Sequence, residues 1–311
     1  MKKSKIKIAV GIDSLSDIEP LVKAGANEFF CGILGRRRLN GRPNISRFNL
    51  DNLEELKKAI KICHFYNKEI WLALNAFSLT TLMAKEADNL FHKAVQSNID
   101  GVILADLELL SGIAAGKPNV KIAISTLLPK FNLESINFFK QFRFNRLILD
   151  RQMTLGEIRI IDNNIKNIEL ETFAIPNCRY VNAFCGYEKI TGLSHGKYMR
   201  PCTIPLGIKV IPPPDKDKEK LIISHLGEIP FKKEALLCST NLYRLFYFNK
   251  LRNKLILKFD FRGYPLLNKV SNVGFFSEIL NFLFNNQPTH EKYVKWANER
   301  FSSQIKSDLI F

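Results

Sequence analysis

Short apolar runs alternate with amphipathic stretches along most of this chain. IKIAVGI (about 6 to 12), EFFCGI (28 to 33), EIWLALN (69 to 75), GVILAD (101 to 106), KIAIST (121 to 126), RLILDR (146 to 151), IELETFA (168 to 174) and LILKFDF (255 to 261) are short runs rich in apolar and β-branched residues. They read as strands of a buried parallel sheet. Between them the apolar positions recur at helical spacing: SDIEPLVKAGA, then NLDNLEELKKAIKICHFY with Asn49 or Asp51 as the cap, TTLMAKEADNLFHKAVQ, LELLSGIAA, LESINFFKQF, and TLGEIRIIDNN with Thr154 as the cap. Eight strand–helix alternations in about 285 residues predict an α/β protein, a (β/α)8 TIM-type barrel in preference to a doubly wound sheet. The barrel is expected over 1–290, with a C-terminal helix in 291–311.

The seventh connection breaks the rhythm. From about Ala174 to Lys233 no apolar period is sustained, and the stretch holds Cys178, Cys185, Cys202 and the run PPPDKDKEK. A loop that long inside a compact domain is usually functional, and a loop following a barrel strand lies on the catalytic face. Cys238 follows at the start of the next predicted helix, so the insertion after strand 7, 174–238, carries C-x6-C-x16-C-x35-C. Four thiolates suit tetrahedral zinc or an iron–sulfur cluster. Zinc favours tighter pairs, a cluster tolerates wide spacing, and unligated buried thiols are the third option. Cys31 ends the second strand and Cys63 lies within a helix, where core packing accounts for both.

A barrel also says which other polar side chains surround the mouth. Arg36, Arg37 and Arg38 follow strand two, Asn75 strand three, Asp106 strand four, Ser125 and Thr126 strand five, Asp150 and Arg151 strand six, and Asp260 and Arg262 strand eight. Asp106, Thr126, Asp150 and Asp260 are catalytic candidates by position. The arginines and Asn75 are candidates for binding substrate, since a guanidinium fork can hold a carboxylate or phosphate through two bonds. His195, alone among the histidines in lying within the cysteine loop, is a candidate proton donor.

Composition narrows the classes. A content of 46% hydrophobic and 24% charged residues is that of a globular protein, and no apolar run approaches the roughly 20 residues of a membrane span. The start, MKKSKIKIAVGI, reads as a first strand, and a cytoplasmic location is expected. In that reducing compartment six cysteines argue for metal binding or catalysis over a disulfide framework. Forty-six Lys and Arg against 30 Asp and Glu leave a net charge of +16, which suits RNA as a partner. An AT-rich coding sequence, which also yields abundant Lys, Asn, Ile and Phe, gives the same excess.

ETFAIPNCRYVNAFCGYEKITG, MRPC, ALLCSTNLYRLF and LILKFDFRG, with LVKAGANEFFCGI near the start, resemble the U-32 peptidase family, also called collagenase-like proteases. VILADLELL, IAISTLL and FNLDNLEELKKAIKICHFYNKEIWLALN fit as well, so the resemblance covers nearly the whole chain. It implies a 4Fe-4S cluster on Cys178, Cys185, Cys202 and Cys238, as in members that hydroxylate ubiquinone precursors or RNA bases without oxygen. It further implies an organic oxygen donor such as prephenate, an acceptor that is an RNA base or a small aromatic ring, and a paired family subunit as a partner. Peptidase activity, or a non-catalytic role as a cluster-bearing subunit, are the alternatives. Departures from the family pattern point to a different substrate: CTIPL stands where many members have CxxxC, Gln152 where glutamate is usual, and Lys258 to Arg262 read KFDFR in place of KIEGR. Neither GxSxG nor HExxH occurs, and His64, His92, His195, His225 and His290 show no nucleophile or metal spacing.

Overall fold

A computed structural model describes residues 6–174 and 239–301, apart from 42, 43, 45, 117, 129, 131, 151, 152 and 262. Eight parallel strands close into a barrel in sequence order, β1 (Ile6–Gly11), β2 (Glu28–Cys31), β3 (Glu69–Leu74), β4 (Gly101–Leu104), β5 (Lys121–Ile124), β6 (Arg146–Ile148), β7 (Glu169–Phe173) and β8 (Leu255–Phe259). Closure is direct, with Ile6 opposite Leu255 and Val10 opposite Phe259. All eight strands expected from the apolar runs are present.

Around them lie α1 (Ile18–Lys23), α2 (Leu53–Phe65), α3 (Thr81–Gln96), α4 (Leu107–Ala115), α5 (Leu133–Phe139), α6 (Leu155–Asn164), α7 (Ser239–Phe248), α8 (Leu266–Asn286) and α9 (His290–Phe301). The cap of α6 is the expected Thr154, in a capping box with Glu157. The cap of α2 is Asn52, whose Oδ1 accepts from Glu55 N at 3.0 Å, and neither Asn49 nor Asp51 takes that place. Asn49 is turned inward to accept from Asn40 Nδ2 at 2.9 Å, and the Asp51 N–H donates to Glu55.

Outward-facing strand residues such as Val10, Phe29, Leu72 and Val102 are fully buried beneath the helices. Cys31 and Cys63 belong to this layer as free thiols, and burial pushes the Cys63 thiol far up, away from reactivity. The barrel interior is split in two. A middle plug takes one residue from each strand: Ala9, Phe30, Trp71, Ile103, Ala123, Ile148, Phe173 and Ile256. The Trp71 ring lies where any Cβ on Gly101 would have to be, so only glycine fits there.

Beneath the plug, at the N-terminal strand ends, sits a layer of charge. Arg146 is buried and pairs with Glu28, with Glu169 at 2.7 Å and with Glu171 at 2.9 Å, while its guanidinium stacks 4.0 Å from the Trp71 ring. Lys7 joins Glu28 to Glu69, Lys121 bonds Glu69, and Lys254 bonds Glu169. Burial raises carboxylate pKa values, yet Arg146 and Lys254 overcome it at Glu169 and hold that carboxyl at about 2. The barrel is therefore locked at its base by ion pairs and sealed at mid-height by apolar side chains, which leaves the opposite end for chemistry. Among the described residues no helix is long and apolar enough to cross a membrane.

Candidate active site at the barrel mouth

The C-terminal ends of β3, β5, β6 and β8 carry polar side chains above the plug. Asn75, just past β3, donates from Nδ2 to Ser125 Oγ at 3.1 Å and accepts from Gly41 N at 3.0 Å. That second bond ties the β2–α2 loop to the mouth. Ser125 is 1% exposed, and its Oγ also accepts from Leu127 N. Thr126 beside it is buried as well, and its Oγ1 has no hydrogen-bond partner among the described residues.

Lys130, in the loop after β5, is fully enclosed. Its ammonium donates to the carbonyls of Ser125 and Leu128. Burial drives its pKa down to about 7, with Asp150 and Glu171 pulling the other way. Asp150, past β6, is 3% exposed. Glu171 on β7 pairs with Lys258 on β8, whose Nζ lies 3.9 Å from the Phe30 ring centroid. Burial would raise the Glu171 carboxyl, but Lys258 and Arg146 hold it below its ordinary value. Glu171, two residues before the plug residue Phe173, thus pairs with both Arg146 of the charged base and Lys258. Asp260 follows β8 and is half-buried.

This arrangement offers hydrogen-bond donors and acceptors at fixed places, the carboxylates of Asp150 and Asp260 past the strand ends, and in Lys130 an amine whose burial brings it close to neutrality. Ser125 is no activated nucleophile by the residues described, since its Oγ is bonded to an amide and a backbone N–H. The described histidines stand elsewhere: His64 bonds Asp100, His92 pairs with Asp88, and His290 packs on Phe246.

Other candidates are placed differently. Asp106 caps α4, accepting from Leu109 N on one oxygen and from Leu79 N on the other, both at 3.0 Å. That joins two loops and occupies both carboxylate oxygens. Arg37 pairs with Glu86, Arg38 donates to the carbonyls of Asn40 and Gly41, and Arg36 is exposed. Arg151, Arg262, His195 and the four cysteines Cys178, Cys185, Cys202 and Cys238 lie outside the described residues. Ala174, the last described residue before the cysteine segment, donates from its N–H to Lys258 O at 3.0 Å just past β7. Among the described residues no group of three or more His, Cys, Asp or Glu could hold a metal ion.

Lys130 and Glu171 escaped the sequence reading. Glu171 carried a signal, because ELETF alternates acid with apolar residues, and an acid at an alternate position in an enclosed strand must face the interior. Lys130 carried none, being an ordinary lysine after a proline in a loop.

Residues 13–179 match the sequence profile of peptidase family U32. An uncharacterized protease of Methanocaldococcus jannaschii is 28% identical over 165 residues, 52% of this chain and 38% of that one. The tRNA hydroxylation protein P1 of Bacillus subtilis is 28% identical over 163 residues, 51% of this chain and 36% of that one. The matches thus take in well under half the length of these relatives. Among solved structures, the U32 peptidase Mk0906 is similar with a TM-score of 0.46 and 13% identity, over 64% of this chain and 86% of that chain.

Proposed function

This chain belongs to peptidase family U32, and from that premise we propose that it acts as an oxygen-independent hydroxylase-type protein on a base in RNA. The observation that carries the reading is the polar set of buried Ser125, Lys130 and Asp150 with half-buried Asn75. It lies at the mouth, within the segment that matches the family profile, and the tRNA hydroxylation protein P1 is similar over 51% of this chain. Hydrogen-bonding groups held in fixed places at the mouth suit a flat heterocycle with several polar edges, and the +16 charge suits the polyanion that carries it. The same groups would accept a small aromatic ring, which is the competing acceptor.

The cofactor belongs to the proposal. Cys178, Cys185, Cys202 and Cys238 form an all-thiol donor set, which fits a 4Fe-4S cluster in ligand chemistry. A cluster held there would supply electron transfer. The described residues would bind and orient the acceptor, and Lys130, whose burial drives its pKa down to about 7, would be the group that gains or loses a proton.

The test is a nucleoside digest of RNA from cells with this gene deleted. A hydroxylated nucleoside should disappear and return with the wild-type gene. An unchanged RNA profile together with loss of a hydroxylated small aromatic metabolite would replace RNA by the competing acceptor. Cleavage of gelatin or casein by the purified holoprotein would point instead to the peptidase activity in the family's name.

A further inference from the structure

One arc of the rim is built unlike the rest. The β2–α2 loop makes a closed excursion, pinned at its base where Gly35 N donates to Asn44 Oδ1 at 3.2 Å and Leu34 N to Leu50 O at 2.8 Å. Its tip carries Arg36, Arg37 and Arg38. The tip rests on the next loop, with Ala76 N donating to Leu39 O at 3.1 Å and Arg37 bonding Glu86 of α3. That loop is joined in turn to the start of α4 through Leu79 N and Asp106. Three consecutive mouth loops are thus one braced unit.

On this unit apolar side chains stand in solvent: Phe77 is 40% exposed, Leu82 52% and Leu107 44%. Charge stands beside them. Glu86 answers Arg37, but Arg38 donates only to neutral carbonyls, and Arg36 has no carboxylate partner among the described residues. Among the described residues neither Arg36 nor Arg38 meets a carboxylate, and both belong to the same braced unit as the exposed Phe77.

The geometry points to a docking surface for unpaired RNA, on which a nucleobase stacks on Phe77 against Leu82 and Leu107 while Arg36 and Arg38 hold the flanking phosphates. This deepens the RNA reading above and rests on it. A protein interface would gain from the apolar residues but not from two unopposed arginines, whereas a single strand uses both, the ring for the base and the guanidinium for the phosphate. A duplex keeps its bases stacked internally and would meet only the arginines.

Fluorescence anisotropy on the full chain, purified without oxygen, tests this with two probes: an RNA stem–loop, and a fully paired RNA duplex of equal length. The stem–loop should bind more tightly than the duplex. Phe77→Ala should weaken the stem–loop by at least about five-fold, and Phe77→Trp should restore it. Arg36→Gln should lower the slope of log affinity against log salt by about one. The exposed α2 residue Lys58 supplies the control, since Lys58→Gln should leave the Phe77-dependent difference intact. Stem–loop binding indifferent to Phe77 would overturn this surface and leave the RNA reading standing. Equal binding of both probes would do the same. Failure of both RNAs to bind at low salt would overturn both together. Self-association of the chain that Phe77→Ala abolishes, without any effect on RNA, would assign the patch to protein contact instead.

Discussion

Lys130 shows how one side chain can be costly to the fold and useful to the site. Its amine is enclosed, bonded to two carbonyls, and poised near neutrality. In the unfolded chain it would titrate near the usual lysine value, about 10.4. Between pH 7 and 10 the unfolded state therefore binds more protons than the folded one, so stability rises with pH across that window. The burial cost is fully present below pH 7. Equilibrium denaturation from pH 6.5 to 10 should show the wild type gaining stability relative to Lys130→Met, whose difference from wild type drifts accordingly. A constant difference across that range would mean that the lysine stays charged. Asp106 makes the opposite case. A polar residue at a strand end looks catalytic in sequence, but both of its oxygens are engaged by backbone N–H groups. Asp106→Ala should cost about 1–2 kcal/mol of stability, the range for a lost helix cap, measured by urea denaturation.

The strands were legible because each is a short apolar run, and α1 to α6 because their apolar spacing follows local rules, whereas the longest helix, α8 (Leu266–Asn286), was not read from the sequence. Thr154 was readable as a cap, while Asn52 was not, because the side chains of Asn49 and Asp51 offer the same chemistry and only tertiary contacts choose among them. The charged base was illegible for a different reason. Lys7, Glu28, Glu69, Lys121, Arg146 and Glu169 stand at or near strand starts, where a charge reads as the edge of a run. Barrel closure turns those edges inward and makes them one network. Arg146 is its hub, and Arg146→Met would leave Glu28 and Glu171 buried without their shared cation. A loss of about 3–5 kcal/mol is expected. The carboxylates also fix an acid limit. Glu169, held at about 2 against an ordinary value near 4.3, contributes stability that is present above pH 4.3 and lost as the pH falls toward 2. Thermal melts from pH 5 to 2.5 should show a steeper acid decline for the wild type than for Arg146→Met.

For the molecule as a whole, a base locked by ion pairs and an apolar plug leave the C-terminal strand ends as the face on which the reaction is proposed, and the cysteine segment follows β7 in sequence but lies outside the described residues. The fold and the mouth side were legible from periodicity and the long insertion. The polar set was legible only in part, since Ser125, Asn75 and Asp150 follow strands while Lys130 and Glu171 are recruited by tertiary packing. If the cysteines hold a cluster, protein purified without oxygen should contain close to four irons and four sulfides per chain. Alanine at Cys178, Cys185, Cys202 or Cys238 should each remove them, while alanine at Cys31 or Cys63 should not. Stoichiometric zinc in a folded, colourless sample would contradict that. The most direct test of the account is hydroxylated-nucleoside content in RNA from cells grown without oxygen, comparing wild type with Asp150→Asn after both are shown to fold and retain metal. We expect the modified nucleoside in the wild type and its near-complete loss in the variant. Undiminished modification in Asp150→Asn would contradict the mouth as the reaction site.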